Sequence, residues 1–152
     1  MSDCLFCKIV AGEIPNYTVY EDDAHLAFLT PYPNTKGFTV VIPKDHQPSY
    51  VFEADQEVVD ALMAANRKVA AKLESAMPDI ARVGVIFEGY GVDHLHAKLF
   101  PMHGTQKGPW KEHPSTITTY FEEYAGYISS HDGEPADKEE LTKLAEEIRS
   151  AN

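Results

Sequence analysis

The chain has 152 residues and a formal net charge of −11, with 13 Lys and Arg against 24 Asp and Glu. This length predicts one domain that can bury about 70% of its unfolded surface without disulfides, and the acidic balance argues against nonspecific binding to nucleic acid or to an anionic membrane. No apolar run reaches about 18 residues and no export signal is evident, so we expect a cytoplasmic protein that would need a local positive site to bind phosphate.

Two cysteines, Cys4 and Cys7, lie near the start with C-x-x-C spacing. In a reducing compartment such a pair indicates half of a metal site or a redox pair, and the redox interpretation expects a strand before the pair, where only three residues stand. Two reduced core cysteines remain an open alternative, because a closed zinc site needs two further ligands. His46 and His94 are candidates for those ligands.

The first part of the chain predicts a short helix and three strands. Residues 8–15 (KIVAGEIP) predict one or two helical turns that end near Gly12. β-Branched and aromatic residues then cluster in TVYEDD, HLAFLT and GFTVVIP, separated by turn formers such as PYPNTKG, which is typical of an antiparallel meander. The last of these strands runs into Pro43, Lys44, Asp45 and His46, a polar group that suits a site loop.

Residues 55–77 predict the main helix, with Asp55 as its N-cap and Pro78 just beyond its end. An apolar face suited to core packing comprises Val58, Leu62, Val69 and Leu73. ARVGVIFE and DHLHAKLF then predict two more strands around the turn EGYGV. A helix on one side of an antiparallel sheet is an α+β arrangement.

The last third of the chain is irregular and rich in aromatic residues, namely Trp110, Tyr120, Phe121, Tyr124 and Tyr127. We expect the segment from 110 to 127 to fold over its own or a partner's site, or to pack on the outer face of the sheet. ADKEELTKLAEEIRSAN predicts a terminal amphipathic helix with Leu141, Leu144 and Ile148 on one side. We therefore expect a single domain over 1–152, with a core of about 3–102 and a C-terminal extension over 103–152.

The stretch DHLHAKLF, residues 93–100, alternates basic and apolar side chains. The basic ones are His94, His96 and Lys98, and the apolar ones are Leu95, Ala97 and Leu99. Successive side chains of an extended chain point to opposite faces, so one face suits the core and the other presents two imidazoles and an ammonium. On an acidic chain this row favours a site for phosphate, or for a metal beside a phosphate, over a strand whose solvent-facing side happens to be basic.

The stretches CLFCKIVAGEIP, VYEDDAHLAFL, GFTVVIPKDH and DHLHAKLF occur in this order and cover most of residues 3–100. In them the chain resembles the histidine triad, or HIT, family. The resemblance implies a five-stranded antiparallel sheet with two helices, usually paired as a homodimer whose sheets join. It also implies binding of a nucleotide or another phosphate-bearing small molecule, and phosphoryl chemistry at the α-phosphate.

The resemblance also implies roles for particular residues. His96, the middle histidine of the signature, would attack phosphorus to form a covalent nucleotidyl-histidine, which water resolves in a hydrolase and another acceptor resolves in a transferase. Dinucleoside polyphosphates and nucleoside phosphoramidates are the implied substrate classes. A structural zinc ion would be held by Cys4, Cys7, His46 and His94, a Cys2His2 set that closes a tetrahedral site.

This chain departs from the family pattern around the substrate. Thr30 stands where many members carry an aspartate that holds the ribose hydroxyls, the turn before the signature is shortened to EGYGVD, and the third histidine is Lys98. We expect the substrate to contact Phe28, Thr30, Tyr90 and Gly91. With a pKa of about 10.4, Lys98 would supply charge rather than a proton, which favours leaving groups such as phosphate or a nucleotide; a lysine that extends to solvent is the alternative.

Two further functions stay open. The chain could be a noncatalytic, zinc-stabilised binder of nucleotide or phosphate that keeps the fold and has lost turnover with the third histidine. A redox protein that uses Cys4 and Cys7 lacks the usual sequence context. The intact His96 favours the enzyme.

Overall fold

The computed structural model describes residues 3–105 and 107–129, together with residues 135, 137 and 139. Contacts divide the chain into two compact units, Met1–Pro109 and Trp110–Asn152. The elements of the first unit are α1 (Leu5–Val10), β1 (Tyr17–Glu21), β2 (His25–Leu29), β3 (Thr39–Pro43), α2 (Gln56–Ala76), β4 (Ile80–Ile86) and β5 (Ala97–His103). Among the residues described, no helix has both the length and the apolar character needed to span a membrane.

The five strands form one antiparallel sheet in the order β1-β2-β3-β5-β4. The predicted meander of the first three strands is confirmed. Strand β5 inserts between β3 and β4, so the strand that carries the second half of the histidine signature lies inside the sheet and not at its edge. The predicted α+β class, an antiparallel five-stranded sheet with a main helix, is confirmed.

Helix α2 covers one face of the sheet with the apolar face that the 3.6-residue period predicted. Leu62, Val69 and Leu73 are buried there, whereas Val58 is partly buried at the margin of the same cluster. Asp55 occupies the predicted N-cap position, although its side chain makes no capping hydrogen bond. The sheet contributes Ala27, Val41, Ala97 and Leu99 to this core, and Leu95 joins them from the segment before β5.

Helix α1 packs on the opposite face of the sheet, where a second apolar cluster comprises Phe6, Ile9, Leu26, Phe28, Val40 and Ile42. Alternate residues of β2 and β3 therefore point to α1 and to α2, as the two-residue period of a strand requires. The short helix ends where it was expected to, with Ala11 as C-cap and Gly12 at φ 75°.

The strand predicted over DHLHAKLF begins only at Ala97. The preceding backbone leaves the sheet because the Leu95 amide donates to the Gln47 carbonyl, 2.9 Å away, in the loop after β3. The alternation of faces nevertheless holds through this segment. Leu95 lies in the α2 core, whereas the rings of His94 and His96 contact Phe6 of α1 edge to face.

In the second unit the described aromatic side chains are exposed, from 41% for Phe121 to 82% for Tyr120. Phe121 and Tyr127 contact each other edge to face, with ring centroids 5.6 Å apart. The expectation that this segment covers a site stays a prediction. Leu141, Leu144 and Ile148 of the predicted terminal helix lie outside the described residues.

Candidate functional site

Four side chains that are far apart in sequence meet at the start of α1. One potential ligand atom from each lies within 4.8 Å of all the others, and the residues are Cys4, Cys7, His46 and His94. Cys4 is the N-cap of α1 and Cys7 lies one turn further along it, so the C-x-x-C spacing places both sulfurs on one side of the helix. The structure thus brings together all four residues predicted as metal ligands, in an arrangement compatible with a metal site.

The distances within this cluster fit a tetrahedral ion. His94 Nδ1 lies 3.4 Å from Cys4 Sγ and 3.6 Å from Cys7 Sγ, and His46 Nδ1 lies 3.5 Å from Cys7 Sγ. Bonds of about 2.3 Å to sulfur and about 2.05 Å to nitrogen at a tetrahedral angle place the two atoms about 3.6 Å apart. The donor set of two thiols and two imidazoles therefore suits a four-coordinate ion of the zinc type.

The ring of His94 is fixed in the tautomer that a metal requires. Its Nε2 donates a hydrogen bond to the backbone carbonyl of Pro43, 2.8 Å away, so Nδ1 carries the lone pair that faces the two sulfurs. Burial lowers the pKa of His94, and the nearby rings of His46 and His96 lower it further. A neutral imidazole with a defined orientation is the form that binds metal.

Two backbone contacts hold the segment before β5 against the loop that follows β3. Besides the Leu95 to Gln47 bond, the Ser49 amide donates to the Asp93 carboxylate at 3.2 Å. The rings of His46 and His94 consequently meet edge to face, with centroids 5.1 Å apart. These bonds explain how two histidines 48 positions apart come to lie beside one pair of cysteines.

His96 is buried beside this cluster and oriented by it. Its Nδ1 donates to the backbone carbonyl of His94, 2.7 Å away, which leaves the lone pair on Nε2. Burial, and secondarily the positive charge of Lys98, lower the pKa of His96, against the opposing effect of its hydrogen bond to His94. The imidazole is therefore neutral and has one nitrogen available as a nucleophile or as a hydrogen-bond acceptor.

His96 lines a cavity of about 640 Å³ between α1, the first strands and the turn before the signature. The residues predicted to contact substrate all line it as well, namely Phe28, Thr30, Tyr90 and Gly91, and so does Lys98. The rest of the lining is largely apolar and includes Phe6, Ile9, Ile14, Tyr32, Phe38 and Val40. A volume of this size accommodates a ligand as large as a nucleotide.

The turn before the signature presents Tyr90 at the mouth of the cavity. Gly89 and Gly91 on either side of it have φ of 73° and 95°, in the left-handed region that favours glycine. Tyr90 is 67% exposed. Thr30 also lines the cavity, and its hydroxyl accepts a hydrogen bond from the Tyr32 amide at 3.3 Å.

Lys98 is engaged by a carboxylate that the sequence did not single out. Its Nζ forms a short ion pair with Oε2 of Glu88, and the side chains of Lys98 and Glu88 are 24% and 6% exposed. Lys98 therefore does not extend freely to solvent. The charge that was expected to meet a phosphate is already compensated within the protein.

Sequence reasoning missed Glu88 and the contribution of α1 to the cavity wall. Ile86 of β4 is the residue opposite Lys98 of β5, and Glu88 lies two residues beyond Ile86. The β4–β5 register would therefore have identified Glu88 as a neighbour of Lys98. For α1 the available signal was Phe6, which lies between two cysteines expected near the histidines. Tyr32 and Phe38 flank a turn whose conformation the sequence did not indicate.

Comparisons with known proteins agree with this geometry. Residues 11–105 match the family model of the HIT domain. A relative from Bacillus subtilis (strain 168), Protein hit, is 36% identical over 118 residues, which cover 73% of this chain and 81% of that protein.

Solved structures give the same picture. SMU.412c from Streptococcus mutans UA159 is 33% identical, with a TM-score of 0.67 over 98% of this chain and 85% of that one. A hypothetical histidine triad nucleotide-binding protein from Sulfolobus tokodaii strain7 is 26% identical, with a TM-score of 0.60 over 96% of this chain and 89% of that one.

Proposed function

This chain belongs to the HIT domain family, and from that premise we propose that it is a nucleotide hydrolase or nucleotidyl transferase acting at the α-phosphate. The proposed substrates are nucleoside phosphoramidates or dinucleoside polyphosphates. The similarity to a histidine triad nucleotide-binding protein supports the ligand class. The reaction class is supported by the chemistry of His96.

One observation carries the proposal, which is the orientation and protonation of His96. A backbone carbonyl accepts its Nδ1–H, its lowered pKa keeps it neutral, and it lines a cavity large enough for a nucleotide. A neutral, oriented imidazole is a competent nucleophile whose phosphorus adduct can be broken again. A histidine serving only the core would need no such cavity beside it.

The reaction would take place in two steps. Nε2 of His96 forms a bond to the α-phosphorus while the bond from phosphorus to the leaving group breaks, and the leaving group takes that electron pair and a proton from water. A second water, or the hydroxyl of another acceptor, then attacks phosphorus, and the bond from phosphorus to Nε2 breaks. The attacking oxygen loses its proton to solvent, so the nucleotide is released and neutral His96 is restored. Aligning His96 before the substrate arrives reduces the entropic part of the barrier.

We further propose that Cys4, Cys7, His46 and His94 hold one zinc ion. With four protein ligands the ion has no position for substrate, so it would supply structural rigidity and no direct chemistry. The four residues would then fasten the start of α1 to the segment that carries His96. We also propose a cytoplasmic homodimer, whose joined sheet would have to pair through an edge strand, β1 or β4.

The test is incubation of the full chain with a panel of nucleoside phosphoramidates and dinucleoside polyphosphates, followed by chromatographic product analysis. Quenching in cold base and intact-mass measurement should reveal a protein heavier by one nucleotidyl group. His96→Asn is the matched control, because its side-chain amide retains a donor near the position of Nδ1 but cannot form the adduct. Absence of both nucleotide product and adduct in the wild type would contradict the proposal.

A noncatalytic binder of nucleotide or phosphate is the second candidate, and the Glu88–Lys98 ion pair favours it. An enzyme benefits from an uncompensated donor near the leaving group, whereas here the third position of the signature holds a charge already neutralised. The same panel separates the two functions. A binder would show saturable nucleotide binding by calorimetry without product, and its binding would survive in His96→Asn.

A further inference from the structure

The ion pair of Glu88 and Lys98 lies at the cavity beside the proposed nucleophile, and the proposed function gives Glu88 no role. We propose that Glu88 is a specificity-determining residue: by neutralising Lys98 it makes the site discriminate against substrates whose leaving group carries several negative charges. The inference rests on the proposed function and deepens it, because it selects among the substrate classes. It also reverses the preference for anionic leaving groups expected from Lys98 alone.

The geometry makes this pair a fixed feature of the site. Ile86 is the residue opposite Lys98 in the β4–β5 register, and Glu88 lies two positions further along, on the same side of the chain. The Glu88 side chain is only 6% exposed. An ionised carboxylate that is so buried is stable when a cation compensates it, so the two groups act as a neutral unit.

The charges around the cavity leave little to attract a polyanion. Lys98 is the only permanently charged residue among the described residues that line it, and the pair sums to +1 − 1 = 0. The cavity wall is otherwise largely aromatic and aliphatic, and the whole chain carries −11. A leaving group with several negative charges would thus meet no net positive field. An uncharged amine or alcohol does not depend on such a field for binding.

Glu88→Gln removes the negative charge and keeps the size of the side chain and a hydrogen-bond acceptor for Lys98. The site should then carry a net charge of +1 and attract additional phosphates. Lys98→Met removes the positive charge of the ion pair and leaves its two positions with a net charge of −1, and the double variant returns that charge to 0. These three variants and the wild type form a charge series on one scaffold.

The experiment compares two substrates that donate the same adenylyl group. Adenosine 5′-phosphoromorpholidate has an uncharged leaving group, and diadenosine tetraphosphate has a polyanionic one. The measured quantity is the ratio of kcat/KM for the tetraphosphate to kcat/KM for the morpholidate. We expect Glu88→Gln to raise this ratio about 10-fold or more, Lys98→Met to lower it, and the double variant to return it to near the wild-type value.

A structural role for the pair predicts a different pattern. The variants would then lose kcat/KM for both substrates alike, and the ratio would not follow the order of charge. Such a result, with circular dichroism showing folded proteins, overturns the inference. If Lys98→Met does not fold because the ion pair is lost, Glu88→Gln and the charge-neutral double variant still decide the question.

Failure of the proposed function is distinguishable from failure of this inference. If the wild type turns over neither substrate, the proposed enzyme is wrong, and calorimetric binding of AMP and ATP without added Mg²⁺ tests the inference instead. Glu88→Gln should then tighten ATP relative to AMP by about 10-fold. An equal effect on both nucleotides, or no binding of either by the wild type and this variant, overturns the inference.

Discussion

His96 donates its Nδ1–H to the backbone carbonyl of His94 at 2.7 Å, while the ring of His94 faces the sulfurs of Cys4 and Cys7. The residue that would bind the metal therefore also orients the proposed nucleophile through its main chain. Since the His94 ring is held in turn by the Pro43 carbonyl, a shift of the cluster of Cys4, Cys7, His46 and His94 would also shift Nε2 of His96. The two predicted roles of the signature are thus mechanically linked.

Replacing His96 with Asn should abolish nucleotidyl transfer and leave the fold intact. Asn can keep a hydrogen bond to the His94 carbonyl but has no lone pair on nitrogen to attack phosphorus. We expect kcat to fall on the order of 10³-fold or more, with little change in the melting temperature. Product analysis and intact mass on the same sample measure turnover and adduct together. A variant that retains adduct would show that another residue is the nucleophile.

The protein should contain one zinc ion per chain when it is purified without chelators or metal-loaded resin. Elemental analysis measures the stoichiometry directly. Cys7→Ser should lose the ion and lower the melting temperature by about 10 °C or more, because metal binding contributes to the folding free energy. A chain that binds no zinc and melts like Cys7→Ser would contradict the proposed centre.

The α2 face and the three-strand meander were predictable because their signals are local. Val69 and Leu73 follow a helical period, and β2 and β3 are bounded by turn formers, so a window of a few residues sufficed. The grouping of Cys4, Cys7, His46 and His94 could not be predicted from such local signals. Cys7 and His94 are 87 positions apart. The cysteine spacing made His46 and His94 candidate ligands, but only the resemblance to a family joined the four residues into one site.

The start of β5 and the Glu88–Lys98 pair depend on tertiary contacts. The alternation in DHLHAKLF favours a strand, but Leu95 bonds to Gln47 outside the sheet, and that contact has no sequence signal. Likewise, the pairing of Glu88 with Lys98 follows from the β4–β5 register. The sequence EGYGV does not specify one turn conformation and therefore does not fix that register. The cavity wall from α1 was missed for the same reason.

Stability should depend on pH through His103, which joins two loops at the end of β5. Its Nε2 donates to the Lys36 carbonyl at 2.8 Å and its Nδ1 to Asp79 at 2.9 Å, so both bonds require the protonated ring. The Lys36 carbonyl, and then Asp79, raise the pKa of His103. The contribution to stability is therefore fully present below the ordinary histidine pKa of about 6.5 and is lost as pH rises through the raised value.

The same bond from His103 lowers the pKa of Asp79, so the stabilisation also declines as pH falls through that lowered value. Urea unfolding of the wild type and His103→Gln should differ most between about pH 4 and 6.5 and converge at higher pH. Asp79→Asn is the control and should remove most of the acid-side dependence. A difference between the proteins that does not change with pH would contradict the ionic origin of the effect.

Asn66→Ala should stabilise the protein. Asn66 is 4% exposed on α2, and neither polar atom of its side chain has a hydrogen-bond partner within the described part of the chain. Removing an unsatisfied buried amide and introducing a better helix former should raise the free energy of unfolding by about 1 kcal/mol. Asn66→Asp, which places a charge at the same position, should destabilise the protein. Destabilisation by Ala in urea titrations would indicate that the amide has a partner in solution.

Introducing an aspartate at position 30 should create selectivity for ribose. In many members of the family an aspartate at this position holds the ribose hydroxyls. Thr30 offers one hydroxyl instead, and that hydroxyl already accepts a hydrogen bond from the Tyr32 amide. We therefore expect the wild type to distinguish an adenosine 5′-phosphoramidate only weakly from its 2′-deoxy analogue. Thr30→Asp would add a charge-assisted acceptor at the edge of the cavity, and the ratio of kcat/KM for the two compounds should rise by about 10-fold.

Two controls separate this effect from a change in the shape of the cavity. Thr30→Asn has nearly the size of the aspartate without its charge and should raise the ratio less, because its hydrogen bond to a hydroxyl is neutral. Thr30→Val removes the hydroxyl and should leave the ratio near one, with kcat/KM for the deoxy compound little changed. A folded Thr30→Asp variant with the wild-type ratio would show that the sugar does not lie beside residue 30.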